Sequence, residues 1–180
     1  MLRRNQSGYT LAELLIAVVI ILLIGAIVYP TILRSQLAAD ESATISFIRT
    51  LNKAQSAYQS TYPTLGFAAN LSALGPNNGR KCDIKNAGPA GACLIGGELV
   101  NAVTPATASN GYWFHLTPTS KDRAGATTGY VIGAAPAVFN KTGVRDFCSS
   151  EEAIIHFQVP NGNSEPVTSA AACAAMPVLQ

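Results

Sequence analysis

Hydrophobic and polar positions alternate with different periods along the chain. From Leu14 to Leu33 no residue carries a formal charge, and the run covers about 30 Å at 1.5 Å per helical residue, the thickness of a bilayer's hydrocarbon core. Beyond it the pattern turns amphipathic. Leu37, Thr44, Phe47, Ile48, Leu51, Ala54, Tyr58 and Tyr62 recur at spacings of three, four and seven, with Arg34, Asp40, Glu41, Arg49 and Lys53 among them. The spacing predicts one helix from about Thr10 to Thr61, ended by Pro63. Pro30 lies inside it and cannot donate to the carbonyl of Ala26, so a kink is expected there, with Gly25 close by.

Residues 64–110 hold only short apolar pieces among turn formers, and predict a loop region with one hairpin around Cys82 and Cys93. This region is expected to vary the surface of the domain and not to build its core. Four runs rich in aromatic or β-branched residues follow, at 111–117, 129–135, 144–150 and 152–159, with turn formers between them. Short links predict antiparallel neighbours, and the amphipathic half of the helix supplies the apolar stripe that covers one face. The fold class is therefore α+β: a long N-terminal membrane-spanning helix packed on a small antiparallel sheet.

Composition sharpens the picture. The 180 residues are 48% hydrophobic and only 12% charged, half the charge of an ordinary soluble domain. Net charge is +2, and setting aside Arg3 and Arg4 leaves 10 basic against 10 acidic residues. A near-neutral body gives no electrostatic case for nucleic acid. The four cysteines, Cys82, Cys93, Cys148 and Cys173, include no CxxC pair, which argues for disulfides over zinc and for an oxidising compartment. Three connectivities are possible; the local one, Cys82 with Cys93 and Cys148 with Cys173, is expected, and it would pin the tail from Pro160 to Gln180 to the sheet through Cys173.

The N-terminus, MLRRNQSGYTLAELL, has three readings. A secretory signal needs a shorter apolar run and a small-x-small site, and the nearest match, ending at Ala39, has Leu37 in a small residue's place. A twin-arginine signal at Arg3-Arg4 is disfavoured by the polar Asn5 and Gln6. The third is a short basic leader ending at Gly8, cut so that Tyr9 becomes the new N-terminus and the apolar run is retained.

Gly8, Tyr9, Thr10, Leu11 and Glu13, with Pro30 further on, make the sequence resemble the type IV pilin and pseudopilin superfamily. The resemblance covers about the first 35 residues closely. It implies cleavage between Gly8 and Tyr9 by a prepilin peptidase, methylation of the new amine, and an assembly role for Tyr9, Glu13, Gly25 and Pro30. It also implies an assembly platform and ATPase, with lipid around the helix before assembly and copies of the chain around it afterwards. One departure is that many relatives carry a glycine earlier in the apolar run, where this chain has only Gly25. Glu13 is the one carboxylate between Asn5 and Pro30, and a charge in lipid persists with a partner or a task. Cleavage creates an ammonium on Tyr9, either one turn away in the same chain or supplied by a neighbouring subunit.

The expected segments are a leader at 1–8, a transmembrane and assembly half at 9–33, an amphipathic half at 34–63, and the loop region and sheet at 64–180. Arg3 and Arg4 are expected on the cytoplasmic side of the inner membrane, with the sheet domain outside. His115 and His156 lie on strand-like runs without a nucleophile elbow or HExxH spacing, so neither catalytic residues nor a cofactor are expected. Asp122, Asp146, Glu151 and Glu152 raise a calcium question, since major pseudopilins use carboxylates in this region, but no ligand-like alternation accompanies them and no metal is expected. Asn70 and Asn140 open N-x-S/T sequons. The leading expectation is a pilus subunit. A type II secretion pseudopilin shares every N-terminal feature, and a membrane-tethered binding protein or enzyme is the reading from another class.

Overall fold

The computed structural model describes residues 9–77 and 81–179, and the side chains among them apart from those of residues 25–31 and 84. The leader expected at Met1 to Gly8 lies outside the described residues, as do the ring of Pro30 and the surroundings of Gly25. The chain forms two units that divide between Gln36 and Leu37.

The long helix, α1, runs from Leu11 to Thr61, one residue inside the expected start. In the first unit its apolar side chains are exposed on every side: Leu14, Ile20 and Leu23 remain 62%, 50% and 62% accessible. Among the described residues no helix is long and apolar enough to cross a membrane. The span expected at Leu14 to Leu33 includes residues 25–31, whose side chains are outside the description.

The second unit is an α+β domain. After α1 come α2 (Leu71–Leu74), a 3-10 turn (Ile84–Asn86), α3 (Gly97–Asn101) and a second 3-10 turn (Pro105–Thr107). Then follow β1 (Tyr112–Lys121), β2 (Thr127–Pro136), β3 (Asp146–Ser150), β4 (Ile155–Gln158) and α4 (Ala170–Ala174). The strands form one antiparallel sheet in sequence order. Asp122 builds the β1–β2 turn: its Oδ1 accepts from the amides of Ala124 and Ala126 at 2.8 and 2.9 Å, and Gly125 takes the left-handed conformation with φ 90°.

Alternation decides which strand residues face α1. Tyr112, Phe114 and Leu116 of β1, Tyr130, Ile132 and Ala134 of β2, and Phe147 of β3 join Ile48, Leu51, Ala54 and Tyr58 of α1 in one core. Polar groups in that core fix the helix against the sheet. Asn52 donates to Ser149 Oγ at 2.9 Å and accepts from the Tyr130 hydroxyl at 3.0 Å, while Gln55 exchanges two hydrogen bonds with the backbone of Ala68. Burial, with Glu151 adding to it, pushes the Tyr130 phenol up to about 12, so it remains a donor at neutral pH. Nearer the first unit, the buried Glu41 accepts from the Arg145 guanidinium at 2.6 and 2.9 Å and from the Val144 amide at 3.1 Å.

Two expectations change. The 64–110 region is part of the core: Leu71, Leu74, Ile95, Leu99 and Ala102 are all buried in it. Its turns set these isolated apolar residues, with no period to betray them, into the same buried cluster as α1 and the sheet. The third and fourth strands are shorter than expected, since Val144 and Arg145 are committed to Glu41, and Ala153, with φ 58°, turns the chain before Ile155.

The tail covers the face of the sheet opposite α1. A Cβ on Gly133 would lie 2.3 Å from the carbonyl oxygen of Val167, so only glycine admits the tail backbone there. Cys148 and Cys173 are joined by a disulfide inside a buried cluster with Val131. Asp146, almost wholly buried, accepts from Ser164 and, at 3.2 Å, from Gln158.

Burial raises the Asp146 carboxyl against the pull of those two donors, so the folded chain holds its proton more tightly than the unfolded one does. Its contribution to stability is then complete below about pH 4, near the unfolded value, and is lost as pH rises through the folded value. Asp146→Asn removes that loss. Urea unfolding followed by circular dichroism is expected to show the variant gaining on wild type as pH rises above about 4, the unfolded value; a constant difference would contradict the buried carboxyl.

Candidate assembly site at the start of the long helix

The first turn of α1 is closed by two side chains. Thr10 Oγ1 accepts from the Glu13 amide at 3.3 Å, and Glu13 Oε2 accepts from both the Thr10 amide and the Thr10 hydroxyl at 2.8 Å. The first intrahelical bond, from the Leu14 amide to the Thr10 carbonyl, measures 3.2 Å. This is a reciprocal capping box, which satisfies amides that a helix start otherwise leaves without partners. The signal was in the sequence as Thr10-x-x-Glu13. It is hidden there by the charge of Glu13, because the cap partner is neutral.

Glu13 therefore has a partner in its own chain that does not depend on cleavage. The cap occupies Oε2, whereas Oε1 has no hydrogen-bond partner among the described residues. Tyr9 stands just outside the helix and is 89% exposed. Past Glu13 the helix presents apolar side chains all round. Each would gain about 1.5–3 kcal/mol on full burial, so this half of the helix requires lipid or other helices around it.

The remaining site residues are dispersed. His115 is exposed, and His156 Nδ1 lies 2.8 Å from the Met176 carbonyl, a contact that holds the tail. Among the described residues no three of His, Cys, Asp and Glu gather as metal ligands. Asp122 caps a turn, Asp146 binds the tail, and Glu151 Oε2 lies 3.4 Å from the Tyr130 amide. Asn70 caps α2 through its own side chain, accepting from Ala73 at 2.9 Å, and Asn140 is exposed with φ 60°. The Cys148–Cys173 half of the expected local pairing is formed. Cys82 and Cys93 stand as thiols, Cys82 exposed and Cys93 partly covered.

Comparison with known families places the prokaryotic N-terminal methylation motif at residues 3–29. No curated protein and no solved structure matches the chain. The chain thus carries the class III leader of type IV pilins and pseudopilins, on a fold of pilin-like plan. The motif implies membrane insertion before assembly, processing by a prepilin peptidase and filament assembly in general, and indicates a pilin-type structural protein.

Thr10→Val deletes the hydroxyl and leaves the shape nearly unchanged. A lost cap typically costs about 1 kcal/mol, or roughly a five-fold faster amide exchange in the first turn. Hydrogen exchange of the detergent-solubilised full chain is expected to show that rise at Leu11 to Leu14 and no change at Ile48 to Tyr58. Unchanged exchange at the helix start would contradict the capping box.

Proposed function

We propose that the protein is the structural subunit of a type IV pilus or closely related helical filament. It is held in the inner membrane by α1 with its sheet domain outside, and is released from the leader by a cut between Gly8 and Tyr9. The observation that carries this reading is the first half of α1, apolar on every side from Leu14 to Ile24 and left uncovered there by the described residues. Lipid covers it before assembly and the same helix of neighbouring subunits covers it afterwards.

Glu13 then has two tasks divided between its oxygens. Oε2 closes the first turn through Thr10, and Oε1 is left to accept from the ammonium that cleavage creates on Tyr9 of a neighbouring subunit. A carboxylate already fixed by its cap loses less side-chain entropy on meeting that amine, and a charge pair inside a helical bundle is strongly penalised when out of register. Glu13 is thereby a registration contact. Gly25 and Pro30, where one glycine and one missing amide weaken the helix, are the place where α1 loosens as it moves from lipid to bundle. The processing reading brings a prepilin peptidase as partner, and polymerisation brings an assembly platform with its ATPase. The sheet domain, with its four cysteines and long loop region, supports a pilin over a type II secretion pseudopilin.

Electron microscopy of cells producing wild type and Glu13→Ala tests the assembly reading. Wild type is expected to form filaments and the variant few or none, while the intact mass of filament subunits shows loss of Met1 to Gly8 and gain of one methyl group. Normal filaments from the variant would remove the role given to Glu13. Retention of the leader in assembled subunits would contradict the processing reading.

A further inference from the structure

Tyr112, Phe114 and Leu116 of β1 belong to the core under α1, so alternation turns Trp113 to the opposite face, the one the tail covers. Its partner across the sheet is the small Ala135 of β2, which leaves room beside the indole. Three segments enclose that room as a cleft of about 470 Å³, inside the range of small-molecule sites at about 300–1,000 Å³. Pro105 belongs to the second 3-10 turn, closed by the Thr107 amide on the Thr104 carbonyl at 3.1 Å. Val138 and Phe139 follow β2 in a turn held by the Ala137 amide on the Gly111 carbonyl at 2.8 Å and by the Val138 amide on Thr142 Oγ1 at 3.0 Å. Glu165 lies on the tail between Ser164, which donates to Asp146, and the Pro166–Val167 backbone seated against Gly133. Each wall is thus fixed by bonds of its own, and the cleft is formed before any ligand enters.

The lining selects the ligand. Pro105, Trp113, Pro136, Val138 and Phe139 supply apolar and aromatic surface, Asn163 and Ser164 are neutral, and Glu165 is the one charged side chain among the lining residues. Trp113 is half-buried, yet its indole N–H is wholly buried. The electropositive edge of the ring is therefore turned inward, and its carbon surface is what remains to meet a ligand. The exposed Glu165 carboxylate calls for a positive charge, and the electron-rich faces of aromatic rings attract the same sign. A compact, strongly hydrated cation, such as sodium or a lysine ammonium, would lose its water against these walls. A methylated ammonium carries its charge under an apolar surface and has little water to lose.

We propose that the cleft over Trp113 binds a quaternary ammonium group, the trimethylammonium of choline being the type, through the Trp113 and Phe139 rings and the Glu165 carboxylate. The rings and the prolines receive the methyl groups, and the carboxylate balances the charge. All of these residues lie in the second unit, and nothing in the proposal rests on the assembly reading, so the two can fail separately.

Trp113 is the chain's only tryptophan, so its fluorescence reports on the cleft directly. The full chain in a non-ionic polyoxyethylene detergent is titrated with choline chloride, with neohexyl alcohol as its uncharged carbon counterpart, and with sodium chloride as the ionic control. Choline is expected to change the emission saturably, neohexyl alcohol to bind about tenfold more weakly, and sodium chloride to leave it unchanged. Glu165→Gln, and separately Phe139→Leu, is expected to weaken choline about tenfold with the circular dichroism of wild type. Glycerophosphocholine separates the sources of the group: binding equal to that of choline admits a lipid headgroup, and no binding restricts the cleft to the free cation. Absence of a saturable change with choline would overturn the proposal, as would equal binding of neohexyl alcohol or wild-type affinity in Glu165→Gln.

Discussion

The domain is arranged around one contact, the stripe of α1 from Thr44 to Tyr58 laid on one face of the sheet. Ile48 and Leu51 are fully buried there against aromatic side chains of β1, β2 and β3, and burial of this kind is non-directional: it presses helix and sheet together without choosing a register. Direction comes from the polar groups caught inside. Asn52 can satisfy both ends of its amide only where Ser149 and Tyr130 stand opposite it, and Gln55 only beside Ala68. A slip of one turn would leave these groups buried without partners, at about 1–3 kcal/mol each. Glu41 and Arg145 do the same nearer the first unit. There the guanidinium is also held over the rings of Phe147 and Phe157, 5.4 Å from each centroid.

With that face settled, the rest of the domain follows from what is left open. The second face of the sheet has no helix long enough to cover it, and the tail serves instead, admitted by the absence of a side chain at Gly133 and held by Cys173 and by Asp146. The 64–110 region fills the edge of the core beside β1 with single apolar residues set on short turns. Among the described residues, nothing from the chain covers Leu14 to Ile24 in the first half of α1. The same helix thus has one part completed by tertiary structure and another that needs an environment outside the chain, and the capping box at Thr10 and Glu13 lies at the start of the second part.

Long elements with a period were legible from the residues. The helix was bounded to within one residue at either end, since amphipathic spacing persists to Thr61 and Pro63 forbids its continuation. The four strands appear in order and antiparallel, since β-branched and aromatic runs with short links permit little else. What escaped was short or lacked a period. Thr10-x-x-Glu13 is a cap signal that an apolar helix start made easy to read as charge pairing. Leu71, Leu74 and Leu99 looked like loop residues because a single buried leucine has no periodicity. Val144 and Arg145 read as strand, yet their roles are set by Glu41, more than a hundred residues away.

The N-terminal motif and the division of α1 into an all-round apolar half and an amphipathic half were determined by the sequence alone, because both depend on residues close together in the chain. The sequence could state that four cysteines favour disulfides, but not which sulfurs are sheltered. Tertiary structure alone decided that Asn52 and Gln55 are core residues and that Gly133 is the point where the tail can approach. Each of those depends on which groups the fold brings within about 3 Å of one another, and hydrogen bonding at that range is not encoded in composition or period.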